Sequence, residues 1–208
     1  MTAARGNTHA LASSTRAVQP GGYESTPGLV YQNEIDYVEI STLGNAVDFG
    51  DTQIDCISSC VQSPTRGVFS QENPSSTSNT IAYITIASKG NAVDFGYLSK
   101  GRTPKEGSAS NNTRGIFGPD GTTVDYVTIA TQGNAQAFTE LTTSLAAGGA
   151  CASQTRFMIS GKEGPAAGKT IFMIQFATLG QATSFGDLSM AGYNSQALSN
   201  CHGGLGGF

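Results

Sequence analysis

The amino-acid sequence predicts an all-β fold: a small β-propeller of four repeats plus a surplus closing strand, and hence four to five blades. Three observations support this prediction. A thirteen-residue block is written four times without insertion or deletion, a Thr-Arg motif recurs between the copies, and no segment has sustained helical periodicity. Repeats of about 40 to 50 residues built from several short strands are typical of propellers, in which each repeat folds into one blade.

The repeated block has the pattern of a β-hairpin. Apolar and polar residues alternate in its first half, and this period of two indicates a strand with one face more buried than the other. Glycine follows, then Asn or Gln, and these residues suit a tight reversal. Each copy ends on a phenylalanine, which we expect to anchor the core. The four copies are Tyr37–Phe49, Tyr83–Phe95, Tyr126–Phe138 and Met173–Phe185.

The second residue of each block defines the packing that we expect between sheets. If the blocks are equivalent, these residues occupy the same place on successive radial sheets, and each sheet rests its apolar face on the next. They are Val38, Ile84, Val127 and Ile174.

The Thr-Arg motif predicts a further strand in each unit. Its four clear copies begin at Thr15, Thr65, Thr113 and Thr155, and a degenerate fifth copy, Asn200–Leu205, closes the chain. If each hairpin pairs with one such strand, five strands and four hairpins leave one strand without a hairpin. Because an unpaired sheet edge is a hazard, we expect this strand either to complete a blade begun at the other end or to pair with a neighbouring chain.

The spacing of the motifs predicts one repeat domain over residues 15–208, which follows a flexible lead-in or edge segment at 1–14. The expected units are 15–64, 65–112, 113–154 and 155–200, with a closing half-unit at 201–208.

Composition and charge argue against several classes of partner. The net charge is −4 and the eleven Lys and Arg are scattered, whereas nucleic-acid binding needs a concentrated basic face. No apolar run approaches the roughly 20 residues of a membrane helix, and the first residues lack the apolar run of a secretory signal. We therefore expect neither nucleic acid as a partner nor membrane insertion.

The cysteines and histidines do not form a recognisable site. The four cysteines fall in different phases of the repeat, which favours free buried thiols, although a disulfide of unknown pairing stays open. His9, His202 and Cys201 lack the ligand spacing of a zinc finger. The sequence predicts no metal site, no cofactor and no catalytic residue.

Recurring charged residues are the candidate site residues. An arginine follows the threonine of each Thr-Arg motif, and two blocks carry an aspartate before the final phenylalanine. The arginines either line a ring that binds anionic groups or pair with aspartates of neighbouring strands, and recurrence in every unit favours the structural pairing. The candidate ligand or inter-blade contacts are Arg16, Arg66, Arg114, Arg156, Asp48 and Asp94.

The order of these features resembles the kelch repeat. In kelch proteins a glycine-rich strand end is followed by a Tyr-bearing strand and then an aromatic anchor, and Thr65–Phe69, Tyr83 and Phe95 take those places. The usual double glycine is intact at Gly21-Gly22 and near the C-terminus, and Phe replaces the customary Trp. The resemblance implies a kelch-like propeller.

A second resemblance concerns function. Val124–Ala135, Asp94–Gly96 and Phe185–Leu188 carry a repeat that resembles one in structural proteins of tailed phages, cyanophages especially, over most of residues 15–208. Ala137 and Ser184 replace the aspartate of that repeat, so any role of the aspartate is not uniform. The resemblance implies a non-enzymatic virion protein of a tail fibre, tail tip or capsid surface, which is assembled in the host cytoplasm.

Such a protein mediates host-surface attachment or subunit assembly. Its expected partners are other virion subunits, including copies of itself, often as trimers in fibres, and a host-surface glycan or receptor. Two other classes stay open. A carbohydrate-binding module needs one similar pocket per unit with an exposed aromatic residue, and such residues are scarce outside the blocks. An enzyme needs a convergent polar cluster in the central channel, which the sequence does not show.

Overall fold

The structure is a computed structural model, which describes residues 4–6, 9–25, 28–56, 59–73, 76–101, 107–145, 148–161, 168–178, 180–191 and 197. These residues contain no helix. They form four small antiparallel sheets arranged as the four blades of a β-propeller, which confirms the predicted fold class. No helix in the described part of the chain could span a membrane.

Blade 1 is a four-stranded sheet of order β1-β2-β5-β6, and β3 and β4 form a separate two-stranded ribbon. The strands are β1 (Leu11–Ala12), β2 (Arg16–Pro20), β3 (Tyr23–Glu24), β4 (Val30–Tyr31), β5 (Glu34–Glu39) and β6 (Val47–Asp51).

Blade 2 has the same plan, with sheet order β7-β8-β9-β10. Its strands are β7 (Cys60–Gln62), β8 (Arg66–Asn73), β9 (Ser76–Thr85) and β10 (Val93–Tyr97).

Blade 3 consists of β11 (Ala109–Ser110), β12 (Arg114–Thr128) and β13 (Gln136–Leu145). The long β12 folds back on itself, because the amide just beyond its end, on Ile129, donates to the carbonyl of Thr113 just before its start, at 2.9 Å. Blade 4 has the order β14-β15-β16-β17. Its strands are β14 (Gly149–Ala152), β15 (Arg156–Ser160), β16 (Thr170–Gln175) and β17 (Thr183–Asp187).

The structure confirms that each repeated block is a hairpin. It adds a feature that the sequence analysis missed, which is a β-bulge at the phenylalanine ending each block. Asp94 pairs with Ala82 and Gly96 with Ile81, so that Phe95 has no cross-strand partner of its own. The same shift in register occurs in the other three blades. A bulge re-aims a side chain, and Phe95 is buried in the core.

A short strand precedes each Thr-Arg motif and forms the first strand of its blade. The blades therefore begin at Leu11, Cys60, Ala109 and Gly149, ahead of the expected unit boundaries. Strand β1 lies within residues 1–14, for which a lead-in and an edge segment were both open. The expected surplus strand, Asn200–Leu205, lies outside the described residues.

Apolar clusters between consecutive blades make up the core. In each cluster one blade supplies the bulged phenylalanine, and the next blade supplies the apolar residues of its hairpin strand and an alanine of its turn. The cluster between blades 1 and 2 includes Phe49, Ile84, Ile86 and Ala92. The equivalent residues are Phe95, Val127, Ile129 and Ala135 between blades 2 and 3, and Phe138, Ile174, Phe176 and Ala182 between blades 3 and 4.

This packing corrects one expectation about the block. Ile84, Val127 and Ile174 are buried as predicted, but Val38 is 36% exposed. All four lie in strands, so their backbone positions are equivalent. Val38 differs because it lies on the side of blade 1 that faces away from blade 2, and the described residues place no other blade on that side.

Side-chain volumes compensate each other across these interfaces. Two positions of the repeat show this: the residue four before the threonine of the Thr-Arg motif in one blade packs against the residue two after that threonine in the next blade. A Cβ atom on Gly67 would collide with the side chain of Leu11, and one on Gly115 would collide with Val61. In the third interface the small residue is on the other side, because Ala109 packs against the cluster that contains Phe157. Large side chains therefore face small ones at every interface.

The glycine after the bulged phenylalanine lets two blades approach at backbone distance. A Cβ on Gly96 would lie 2.5 Å from the carbonyl oxygen of Gly133 in the next blade, and Gly96 has φ +147°. The amide of Gly133 donates to the carbonyl of Phe95 at 2.9 Å. Gly50 and Gly90 repeat this contact between blades 1 and 2.

Substitutions at two of these glycines separate backbone strain from steric exclusion. Gly133 has φ +150° with open space around a Cβ, so we expect Gly133→Ala to destabilise the fold by about 1–2 kcal/mol from strain alone. Gly96→Ala adds the collision with the Gly133 carbonyl, and we expect a total of about 3–5 kcal/mol. Urea unfolding of both variants measures the difference, and equal losses of stability would show that the close approach does not constrain the fold.

Candidate functional site

The recurring arginine lies over the tyrosine of its own blade in the first three blades. The Arg66 guanidinium carbon is 4.5 Å from the centre of the Tyr83 ring, and the ring of Phe95 meets the tyrosine edge-on at 6.0 Å. Arg16 over Tyr37 and Arg114 over Tyr126 repeat the cation–π contact at 4.8 and 5.1 Å. The stack holds each guanidinium in a fixed orientation beside the next blade.

From this position the arginine donates to backbone carbonyls of the following blade. Arg66 Nη1 donates to Ile129 O at 2.9 Å and to Ala130 O at 3.0 Å. Arg16 Nη1 donates to Ile86 O at 3.1 Å and to Ala87 O at 2.8 Å.

Arg114 Nη1 donates to Phe176 O, the equivalent carbonyl of blade 4. These carbonyls lie at the end of the hairpin strand, where the sheet no longer supplies every backbone partner. Three of the four predicted arginines are therefore inter-blade contacts.

The partners differ from the predicted aspartates. Arg16 Nε forms an ion pair with Glu39 of its own blade at 2.7 Å, and the acceptors that the arginines meet in the following blade are carbonyl oxygens. Asp48 accepts from the amide of Gly50 at 3.0 Å, within the bulge of its own strand. The backbone carbonyl of Asp94 accepts from Gln132 Nε2 of the next blade at 2.8 Å. Both aspartates lie at the bulge, and the structure does not bring them to the arginines.

Arg156 differs from the other three arginines because it is exposed. Its blade carries Met173 in place of the tyrosine, and the described residues include no blade beyond it. The replacement of the tyrosine by Met173 was the signal in the sequence that could have separated this arginine from its three equivalents.

Sequence reasoning also missed a buried ion pair in blade 1. Arg5 Nη2 donates to Asp36 Oδ2, and Nη1 donates to the carbonyls of Gly21 at 3.0 Å and Glu34 at 2.6 Å. These bonds tie the N-terminal segment to the sheet. Because Arg5 lies outside the repeat, the recurrence of residues could not have pointed to it.

The hairpin turns form open grooves in two blades. The groove of blade 3 has a volume of about 390 Å³, and its lining includes Tyr126, Gln132, Asn134 and Gln136. Blade 1 has an equivalent groove of about 190 Å³ beside Tyr37 and Glu39, among other residues. Amide, hydroxyl and aromatic groups of this kind can hold a polar ligand by hydrogen bonds and ring contact.

The described cysteines are free, as the sequence analysis favoured, but of these three only Cys56 is fully buried, whereas Cys60 and Cys151 are half-buried. Cys201 lies outside the described residues. Burial raises the pKa of the Cys60 thiol well above its usual range, and Cys56 nearby raises it further. Burial also raises the pKa of Cys151 and lowers that of His9. His202 lies outside the described residues, within which no three metal-ligating side chains gather.

No protein-family model matches the chain, and no curated protein matches it.

Replacing the arginines tests their structural role. Arg66→Ala removes the two hydrogen bonds to blade 3 and the contact with Tyr83, and we expect a loss of about 2–3 kcal/mol in the free energy of unfolding. Arg156→Ala is the matched control, because this arginine is exposed, and in dilute solution we expect a change within about 0.5 kcal/mol. Equal effects in urea unfolding would contradict the structural role, and stabilisation of the wild type by phosphate would instead support an anion site.

Alkylation tests the environment of the thiols. A raised pKa leaves less thiolate at a given pH, and thiolate is the form that reacts. We expect native Cys60 to react with iodoacetamide at pH 8 about tenfold or more slowly than the same residue in urea. Mass spectrometry of the digested protein measures the rates, and comparable rates in the two states would show that the fold does not shield the Cys60 thiol.

Proposed function

We propose that this protein is a non-enzymatic structural protein of a tailed-phage virion, at a tail fibre, tail tip or capsid surface, which mediates subunit assembly or attachment to the host surface. The similarity of its repeats to those of phage structural proteins supports the proposal. The observation that carries it is the use of the recurring arginines, because Arg16, Arg66 and Arg114 each bond the backbone of the following blade.

When the charged side chain of each repeat bonds the neighbouring repeat, its role is to hold the blades together as a scaffold. What such a scaffold offers to partners is its turns and its outer faces, and loops on a rigid frame are where binding residues concentrate. Exposed apolar residues at both ends of the array, including Ile40 and Phe185, favour protein partners within this role. Other virion subunits, among them further copies of this chain, fit such faces.

Peptide mass spectrometry of purified particles tests the proposal. We expect the protein in particles of the phage that carries its gene, at a copy number fixed relative to the other structural proteins, and we expect antibodies against it to label the tail or capsid surface. Its absence from intact particles, together with abundance in the infected cell, would contradict the virion role.

The groove of blade 3 supports carbohydrate binding as a second candidate function. Its polar lining beside Tyr126 suits a sugar, and Tyr126 Oη lies 2.7 Å from Gln136 Oε1, so one edge of the groove is already ordered. A glycan array probed with the purified protein tests this candidate, with Gln132→Ala as the variant that should lose binding. Asn45→Ala, in the smaller groove of blade 1, reports whether each blade binds separately.

A further inference from the structure

The two ends of the blade array carry exposed apolar residues and are complementary. On blade 1, Val38 is 36% exposed and Ile40 is 54% exposed, whereas their equivalents in the other blades are at most 3% exposed. On blade 4, Phe185 is 54% exposed, whereas the equivalent phenylalanines are at most 5% exposed. We call these surfaces the leading face (Val38, Ile40 and Ala46) and the trailing face (Cys151, Met158, Ile171 and Phe185).

Each face has one half of the packing that joins blades inside the chain. In every internal interface a trailing face, centred on a bulged phenylalanine, covers a leading face, centred on the apolar residues of the hairpin strand. The trailing face of blade 4 and the leading face of blade 1 are the halves that remain. From this complementarity we propose that the trailing face of one copy of this chain docks on the leading face of a second copy, head to tail.

The backbone bonding of the internal interfaces predicts the contacts of this junction. Between blades 1 and 2, the amides of Gly90 and Ala92 donate to Phe49 O and Asp51 O, each at 2.8 Å. The amide of Asp51 donates to Asn91 Oδ1 at 3.0 Å. The interface between blades 2 and 3 repeats all three bonds.

The two ends of the chain carry the same residues in the same order. Phe185-Gly-Asp187 corresponds to Phe49-Gly-Asp51, and Gly44-Asn-Ala46 corresponds to Gly90-Asn-Ala92. The junction therefore places the Gly44 and Ala46 amides on Phe185 O and Asp187 O, and the Asn45 side chain on the Asp187 amide.

Gly186 supplies a further observation. Its φ is +156°, close to the values at Gly50 and Gly96, but nothing lies within 4 Å of a Cβ placed on it, whereas at those two positions the next blade lies 2.5 Å away. The backbone of blade 4 thus has the shape that receives a following turn, and the space for that turn is open. Blade 3 has Thr139 at this position and does not show the same backbone pairing with blade 4.

Arg156 is a further residue of the trailing face that, among the described residues, lacks the contact made by its equivalents inside the chain. Its three equivalents donate to carbonyls at the end of the next hairpin strand, and Arg156 is exposed at the trailing face. The carbonyls in the corresponding position of blade 1 are those of Ile40 and Ser41. Across the junction, Cys151 meets Ala17, a medium residue against a small one, in keeping with the volume compensation of the internal interfaces.

Repetition of a head-to-tail contact gives an open filament or, if the rotation closes, a ring. The biological role of this junction rests on the proposed assembly function, but the contact between the two faces does not. The junction is measured on purified protein, so a chain that is absent from virions but associates in solution would refute the virion role and leave the junction intact.

Two single-charge variants test the junction by mixing. Phe185→Glu places a charge on the trailing face, and Ile40→Glu places one on the leading face. Because both residues are exposed, each variant should fold. Val93→Glu is the matched control, because Val93 is 50% exposed on blade 2, away from both ends. Light scattering and sedimentation measure mass against concentration, and thermal unfolding by circular dichroism checks each fold.

We expect the wild type and Val93→Glu to form multiples of the 21.4 kDa chain as concentration rises. An unpaired charge in an apolar contact should weaken the association of each end variant about 100-fold or more. Because each variant keeps the face that the other has lost, an equimolar mixture should form a one-to-one dimer that grows no further. On association, the amides of Gly44 and Ala46 should become protected from hydrogen exchange.

Three results would overturn the junction. A wild type that stays monomeric, with the Gly44 and Ala46 amides already protected, would mean that the chain covers its own leading face. End variants that associate as the wild type does would place the contact elsewhere. Loss of association in Phe185→Glu but not in Ile40→Glu would indicate a symmetric contact between two trailing faces.

Discussion

The close approach of the hairpin turns of blades 2 and 3 to the bulged strand of the preceding blade is the constraint on which the structure depends. The bulge turns a phenylalanine into the space between the blades, and the glycine after it leaves room for the next turn at backbone distance. Two backbone hydrogen bonds then form alongside the apolar contact at each of the first two interfaces. At these two interfaces the glycine is required for the close approach, because a Cβ there would collide with the backbone of the next turn.

Each interface thus combines a non-directional attraction with directional ones. Apolar burial supplies most of the free energy, roughly 25 cal/mol per Å² removed from water, but it does not fix how two sheets are rotated or shifted. The arginine over its tyrosine and the paired backbone bonds do fix this, since they require particular atoms to meet. The third interface keeps the arginine and the apolar cluster, but Thr139 replaces the glycine and strand β13 runs on to Leu145.

This arrangement connects the repeat with the proposed assembly role. When every interface uses the same two surfaces, an array of any length ends in one copy of each, and the ends can serve as sites for a partner. Blade 1 and blade 4 expose these surfaces, with Ile40 on one and Phe185 on the other. A chain that contains the internal interface three times already has the specificity that a junction between chains requires.

The sequence by itself determined the all-β class, the four repeats and the pairing of strands within each hairpin, but not the short strand that begins each blade. The alternation around Val38, Ile84, Val127 and Ile174, followed by glycine, is a local pattern, and local patterns dictate local geometry. The recurrence of the arginines also indicated a structural contact, although the predicted acceptors were aspartates. A carbonyl acceptor leaves no signal in the sequence, because every residue has one.

The tertiary structure alone decided which repeats have neighbours. Val38 and Ile84 occupy the same position of the repeat, yet Val38 is exposed at an end of the array and Ile84 is buried at an interface. The bulge at each phenylalanine and the burial of Arg5 against Asp36 were likewise beyond the sequence pattern. The physical reason is that burial and bonding depend on what packs against a residue. A repeated sequence gives the surfaces of each blade, but it does not show what packs against the first and the last blade.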